Sequence, residues 1–214
     1  RGAAVAHSHD RDAAYHFRRN VADRLRRFNQ VPAEVLYPPP RLDALYHPGD
    51  FGDSFFTIGR LDPLKRFDLL IKAMKHTETP VRCRIAGTGP EKENLQDLIV
   101  RSGLENRVEL LGWVEDQAVV EHYANCLGVY YAPYDEDYGY VTVEAFKCAK
   151  PVITTSDAGG VLEFVEDGVN GFIGSADSPR EFVTGILTKT LGPQPAILRA
   201  WRSISGKSSV KTSH

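Results

Sequence analysis

Between Ser54 and Gly174 the chain alternates short apolar runs with longer amphipathic segments, and few folds accommodate that rhythm. "SFFTIG" (54–59), "VRCRIAG" (81–87), "RVELLG" (107–112), "LGVYYAP" (127–133), "PVITT" (151–155) and "GFIG" (171–174) read as strands. "SFFTIG" is apolar at successive positions rather than alternate ones, as a strand covered on both faces must be. Between the strands, "PLKRFDLLIKAMKH" (63–76) spaces Leu64, Phe67, Leu70, Ile71 and Met74 for a helix. "PEKENLQDLIVRSG" (90–103) opens on proline and closes on Gly103, the residues favoured at those two helix ends. "DQAVVEHYANC" (116–126), "YVTVEAFKCA" (140–149) and a shorter "GVLEFVED" (160–167) complete the series. Strands that alternate with helices across short turns pair in parallel through right-handed crossovers. The expected fold class is therefore α/β, a Rossmann-like parallel sheet with helices on both faces, spanning residues 54–178.

The flanks follow other rules. Residues 1–53 are expected to form an N-terminal helix and a linker strap. Ala14, Phe17, Val21, Leu25 and Phe28 predict a helix over 11–29, with arginines on its opposite face, and a short strand is expected at Glu34–Leu36. Three consecutive prolines, Pro38 to Pro40, force an extended path. Residues 179–214 suit one more helix, "SPREFVTGILTKT", beginning at Ser178, followed by an irregular tail. A formal net charge of -2 over 214 residues gives no global field for nucleic acid or an anionic membrane. Cys83, Cys126 and Cys148 show no C-x-x-C spacing, which fits a reducing cytosol better than a disulfide framework or zinc. No apolar run approaches the roughly 18 residues that span a bilayer. A chain that opens on Arg1, without Met or an apolar leader, reads as a fragment or a processed form.

In an open parallel sheet, ligands bind outside the carboxyl ends of the strands. There this sequence gathers glycines, cations and carboxylates. Arg60 and Lys65 flank the turn after the first strand, where a planar fork and a point charge suit a diphosphate; the same spacing also fits two surface cations. Gly59 and Gly87 serve either close ligand approach or a tight turn. "GTGPE" lacks the third glycine of a dinucleotide fingerprint, so no such cofactor is expected. Gly139 opens the helix carrying Glu144, whose first amides, at Tyr140 and Val141, can hold an anion. Glu144 can accept both hydrogen bonds of a ribose diol, or be an ordinary helical glutamate. Gly159 and Gly160 either offer amides to an anion or simply turn.

Taken in order, "GRLDPLKR", "AGTGPE", "ELLGWV" and "EDYGYVTVEAFKCAKPVITTSDAGGVLEFVEDGVNGFI" resemble the nucleotide-sugar-binding half of retaining glycosyltransferases of family four, with a GT-B fold. The resemblance covers about residues 20–174, and its specificity lies in Glu136 and Glu144 with seven residues between them, followed by Pro151-Val152-Ile153 and Gly159-Gly160. It implies that Arg60 and Lys65 hold the donor diphosphate, that Glu136 lies beside the transferred sugar, and that Glu144 binds ribose. It further implies that the amides of Tyr138, Gly139, Tyr140 and Val141 meet sugar or phosphate, and that the backbone of Trp113 and Val114 lines the base pocket. The implied substrate is a UDP- or GDP-linked sugar, with no further cofactor and no metal, and the sugar is transferred with retention. The implied acceptor, a glycan or lipid-linked sugar, is held by an N-terminal domain of which this chain shows only a helix and a strap. The implied location is the cytoplasm, with any peripheral membrane contact made by the half this chain lacks. Two positions depart from the pattern: Arg66 and Ala149 stand where glycine is usual. Two other readings stand beside this one. Asp135 and Asp137 have the spacing to grip a divalent cation that bridges phosphates. The chain also suits a non-catalytic module that binds nucleotide-sugar and transfers nothing.

Overall fold

The computed structural model describes residues 14–16, 19–30, 33–35, 37–77 and 80–178. The helix and tail expected over 178–214 lie outside them, apart from Ser178.

Six parallel strands form the main sheet: β3 (Ser54–Ile58), β4 (Arg82–Ala86), β5 (Val108–Gly112), β6 (Gly128–Tyr130), β7 (Val152–Thr155) and β8 (Gly171–Gly174). Ahead of them lie β1 (Ala14–His16), α1 (Arg19–Arg24) and β2 (Ala33–Val35). The order across the main sheet is β5-β4-β3-β6-β7-β8. The chain therefore enters at the centre, walks to one edge, returns past its start and walks to the other. Sequence order reverses between β3 and β6, the point outside whose strand ends sheets of this kind bind their ligands.

The helices divide between the faces: α2 (Phe67–Lys75), α3 (Lys92–Arg101), α4 (Asp116–Ala124) and α5 (Tyr140–Lys147). The double burial predicted for the first strand is visible residue by residue. Phe55 packs with Leu70, Ile71, Leu95 and Ile99 of α2 and α3, whereas Phe56 packs with Val119, Tyr123 and Phe146 of α4 and α5. Both phenylalanines are almost wholly buried. At roughly 1.5–3 kcal/mol for each such side chain, the two cores clamp β3 from either side.

Three expectations are corrected. Of the helix expected over 11–29, the described residues form a strand (β1), α1 and a wider π-type turn at Leu25–Asn29, closed by Gln30 at φ 56. β1 pairs in parallel with β2, which begins one residue earlier than expected, and this non-local pairing overrides the local spacing. "GVLEFVED" yields only a single 3₁₀ turn, Gly160–Glu163, because the Asn170 side chain accepts from the Glu166 N–H (2.7 Å) and donates to the Phe164 carbonyl (2.8 Å). Those bonds stabilise a turn where the helix would have continued.

The strap is fastened along its length to the helices below it. Arg41 pairs with Asp116 and Lys147 with Asp43. The Lys150 ammonium, on a fully buried residue, donates to the carbonyls of Gly49 (3.1 Å) and Asp50 (2.7 Å) and sits 4.1 Å from the centre of the Phe51 ring. Burial pulls its pKa below the usual lysine range.

Candidate active site

The exits of β3 and β4 lie on one side of the switch point. Gly59 N–H donates to the Ala86 carbonyl (3.1 Å) and Gly87 N–H to the Gly112 carbonyl (2.7 Å). A Cβ on Gly87 would collide with the Gly59 carbonyl oxygen, so only glycine lets these two exits run side by side. Beyond Gly59, Asp62 accepts from the N–H groups of Leu64 (3.0 Å) and Lys65 (3.3 Å), capping a 3₁₀ turn at Pro63–Lys65. That cap aims Lys65 across the switch point. Its ammonium is ion-paired with Glu136, which follows β6, and lies 3.4 Å from the Tyr131 hydroxyl. Tyr131 in turn donates to Glu136 (2.9 Å). Burial pushes the Glu136 carboxyl up, but Lys65 and the hydrogen bonds from Tyr131 and the Asp137 amide outweigh it and hold the pKa below the usual range. Arg60 is exposed on the same turn.

On the opposite side is the start of α5. Gly139, at φ 77, sets the helix so that the amides of Tyr140 and Val141 open it. The Tyr138 ring is buried, 4.8 Å from that of Tyr140 and 5.9 Å from that of Tyr37. Its hydroxyl donates to the Pro38 carbonyl (3.2 Å), so that side chain anchors the strap. Glu144 lies one turn further on, where its carboxylate accepts from the Tyr123 hydroxyl (2.7 Å) and from Tyr46 of the strap. Burial raises its pKa, and the two tyrosines and Arg41 only partly offset that. Trp113 stands 72% exposed past the end of β5, while Val114 packs against the α4–α5 core.

Gly159, at φ 68, and Gly160 turn the chain beside the Glu136 loop. Gly160 N–H is engaged by the Glu136 carbonyl (2.6 Å), and Glu136 N–H by the Ala158 carbonyl (3.2 Å). Those two bonds tie the glycine turn to the Glu136 loop. Asp135 and Asp137 both pair with Arg24 of α1. Among the described residues, no three His, Cys, Asp or Glu side chains group as a metal set.

Arg66, read from the sequence only as a departure from glycine, proves to be the most heavily bonded side chain here. Its guanidinium donates to both Asp157 oxygens (2.8 Å each), Thr155 Oγ1 (2.7 Å) and the carbonyls of Ala132 and Pro133 (2.8 Å each). Tyr131, Tyr123 and Tyr46 were also missed. Tyr131 finds its carboxylate five residues on, at Glu136, whereas Tyr123 and Tyr46 find theirs, Glu144, 21 and 98 residues along the chain.

An open doubly wound sheet with Lys65, Glu136 and the start of α5 gathered near its switch point defines a Rossmann-like domain. Comparison with known proteins then gives the family. Residues 52–191 match the model of the glycosyl transferases group 1, and the chain belongs to that family. An uncharacterised glycosyltransferase of Methanocaldococcus jannaschii is 31% identical over 155 residues, 72% of this chain and 43% of its own. An N-acetylgalactosaminyltransferase of Campylobacter jejuni, whose name specifies a diphospho-undecaprenol-linked acceptor, is 28% identical over 176 residues, 79% of this chain and 48% of its own. The chain thus spans less than half the length of these relatives. Among solved structures, Anabaena HepE in complex with UDP aligns over 73% of this chain and 44% of its own, at TM-score 0.65 and 30% identity.

Proposed function

We propose that the chain is the donor-binding half of a glycosyltransferase that moves a sugar from a UDP- or GDP-sugar to an acceptor, with retention and without a metal ion. The observation that carries this reading is Lys65, fixed by its cap at the switch point, with Arg60 on the same turn and the first amides of α5 on its other side. A diphosphate between them meets positive charge from both sides. HepE, a 30% identical neighbour, is solved with UDP and with UDP-glucose, which supports the donor class.

On this reading the bond from the anomeric carbon to the diphosphate oxygen breaks as the acceptor oxygen bonds to that carbon on the same face. The acceptor proton passes to the departing diphosphate. Negative charge grows on the phosphate oxygens, where Lys65, Arg60 and the helix amides lower its energy; one such donor is worth about 3 kcal/mol of barrier. Glu136 lies beside the sugar hydroxyls and Glu144 takes the ribose diol. The acceptor, a glycan or lipid-linked sugar, is held by residues outside this chain. No helix among the described residues is long and apolar enough to cross a membrane.

Calorimetric titration of the chain with UDP, GDP, ADP and their sugars, with and without EDTA, tests this reading. UDP or GDP is expected to bind equally well in EDTA, and Lys65→Ala to weaken that binding at least tenfold. Binding that vanishes in EDTA, or that ignores Lys65→Ala, refutes it.

A further inference from the structure

We propose that Arg66 is the positioning residue of the donor site, holding the loop from Ala132 to Asp137 so that Glu136 stays on Lys65. The inference rests on the proposed donor role of that pair, but its geometry stands apart from any ligand. Arg66 belongs to the β3 exit, and its five donor contacts all go to the β6 exit (Ala132, Pro133) and the β7 exit (Thr155, Asp157). Its own carbonyl accepts from Tyr130 (2.8 Å) at the end of β6. One side chain therefore spans the switch point and ties three strand ends together.

Two observations set this apart from an ordinary surface ion pair. Arg66 sits at φ 50, a left-handed conformation that costs an ordinary side chain and that persists only where its surroundings over-determine it. The Arg66 side chain is only 16% exposed. The loop it grips is held at further points: the Glu136 N–H donates to the Ala158 carbonyl (3.2 Å), the Gly160 N–H to the Glu136 carbonyl (2.6 Å), and Asp135 and Asp137 pair with Arg24. Tyr134 N–H reaches the Leu64 carbonyl (2.9 Å), and Asp135 N–H reaches the Asp157 carbonyl (3.0 Å). The second of these attaches the loop to the very residue whose side chain Arg66 fixes. Releasing Arg66 thus loosens the Asp157 side chain and the Ala132–Pro133 start of the loop, the end from which Glu136 is aimed at Lys65. Lysine cannot substitute, because a point charge cannot serve both carboxylate oxygens and two carbonyls in one plane.

The test follows the Glu136 carboxyl by ¹³C NMR across pH in the uncomplexed chain, comparing wild type with Arg66→Gly, Arg66→Lys and Asp157→Asn. Glycine suits φ 50, so Arg66→Gly removes the clamp without a backbone penalty, and Asp157→Asn covers the case in which that variant does not fold. The Glu136 midpoint is expected to move toward the ordinary carboxylate value in Arg66→Gly and Asp157→Asn, and part-way in Arg66→Lys. A control weakened in the core, Ile71→Val, is expected to leave it unmoved. Titration with donor then gives the second readout: UDP-sugar affinity falls at least tenfold in Arg66→Gly while UDP affinity is kept or tightens, because Lys65 loses its carboxylate partner. A Glu136 midpoint equal to wild type in Arg66→Gly, or in Asp157→Asn if the first is unfolded, overturns the positioning role. Equal losses for UDP and UDP-sugar overturn it too. Failure of wild type to bind any nucleotide refutes only the donor reading and leaves the NMR comparison standing.

Discussion

Replacing Ala149 by glycine is expected to stabilise the protein. Ala149 follows the last turn of α5 at φ 56. Its N–H donates to the Phe146 carbonyl (3.0 Å) and the next N–H, of Lys150, to the Ala145 carbonyl (2.9 Å). Those two bonds make a Schellman cap, whose left-handed position normally belongs to glycine. An alanine there costs roughly 1–2 kcal/mol against the right-handed form. Glycine recovers that but loses about 0.5–1 kcal/mol to its greater freedom in the unfolded chain. The net gain is about 0.5–1 kcal/mol, or roughly 1–4 °C in melting temperature at this chain length. Urea unfolding followed by circular dichroism reads it directly, with the midpoint rising and the m-value unchanged. The β-branched Ala149→Val is expected to lose more than 1 kcal/mol in the same assay, since its side chain tolerates positive φ worse. An Ala149→Gly midpoint at or below wild type, at equal m-value, would refute the strain account.

Lys150→Met is expected to lower stability by about 2 kcal/mol, the gross value of two ammonium hydrogen bonds less the relief of removing a buried charge. Limited proteolysis should then cut within residues 41–53, where wild type resists. Glu144 and Asp157 have pKa values shifted in opposite directions, so their amide variants should differ from wild type in opposite ways with pH. The raised Glu144 favours folding below the unfolded carboxylate range and loses that as pH climbs through its folded pKa, so Glu144→Gln gains on wild type as pH rises. The depressed Asp157 contributes above that range and loses its effect as pH falls through its folded pKa, so the deficit of Asp157→Asn closes in acid. Thermal melts from pH 3 to pH 8 check both signs. Glu136→Gln should tighten UDP binding several-fold by freeing Lys65 from its carboxylate partner, since a charge near the diphosphate is worth about 1–4 kcal/mol. Weaker UDP binding by calorimetry in that variant would count against the shared-cation geometry.

The sheet was legible because its signals are local and repeated. Runs such as Ser54–Ile58 are too apolar for a half-exposed strand, and the helices between them carry both spacing and end residues. The region of the site followed, since strand ends in such a sheet face one edge and the residues there could be read in order. Lys65 and Glu144 came from that reading and Glu136 from the family resemblance, and Lys65 and Glu136 indeed meet. Their partners stayed hidden because each bond closes a long loop. Tyr46 reaches Glu144 across 98 residues of chain, Arg66 reaches Asp157 across 91, and Lys150 reaches Asp50 across 100. Nothing within a helix or turn signals such a pair. The N-terminal misreading has the same origin: five apolar residues at helical spacing describe β1 and α1 equally well until the partner strand β2 is known.

Arg66 and Ala149 show how far a departure from pattern can be interpreted. Both replace glycine, and both occupy the left-handed region, at φ 50 and φ 56. The backbone penalty is the same in kind, yet the expected effect of restoring glycine has opposite sign. Ala149 brings a methyl group that no hydrogen bond or charge requires, so the strain there is a plain loss. Arg66 brings five donor contacts that tie three strand ends together, and charge-assisted bonds of about 1.5–3 kcal/mol each exceed a strain of roughly 1–2 kcal/mol. Sequence pattern alone marks where the backbone wants glycine. Whether the exception weakens the fold or builds the site depends on what lies within reach of the side chain, and at Arg66 that is the loop bearing Glu136.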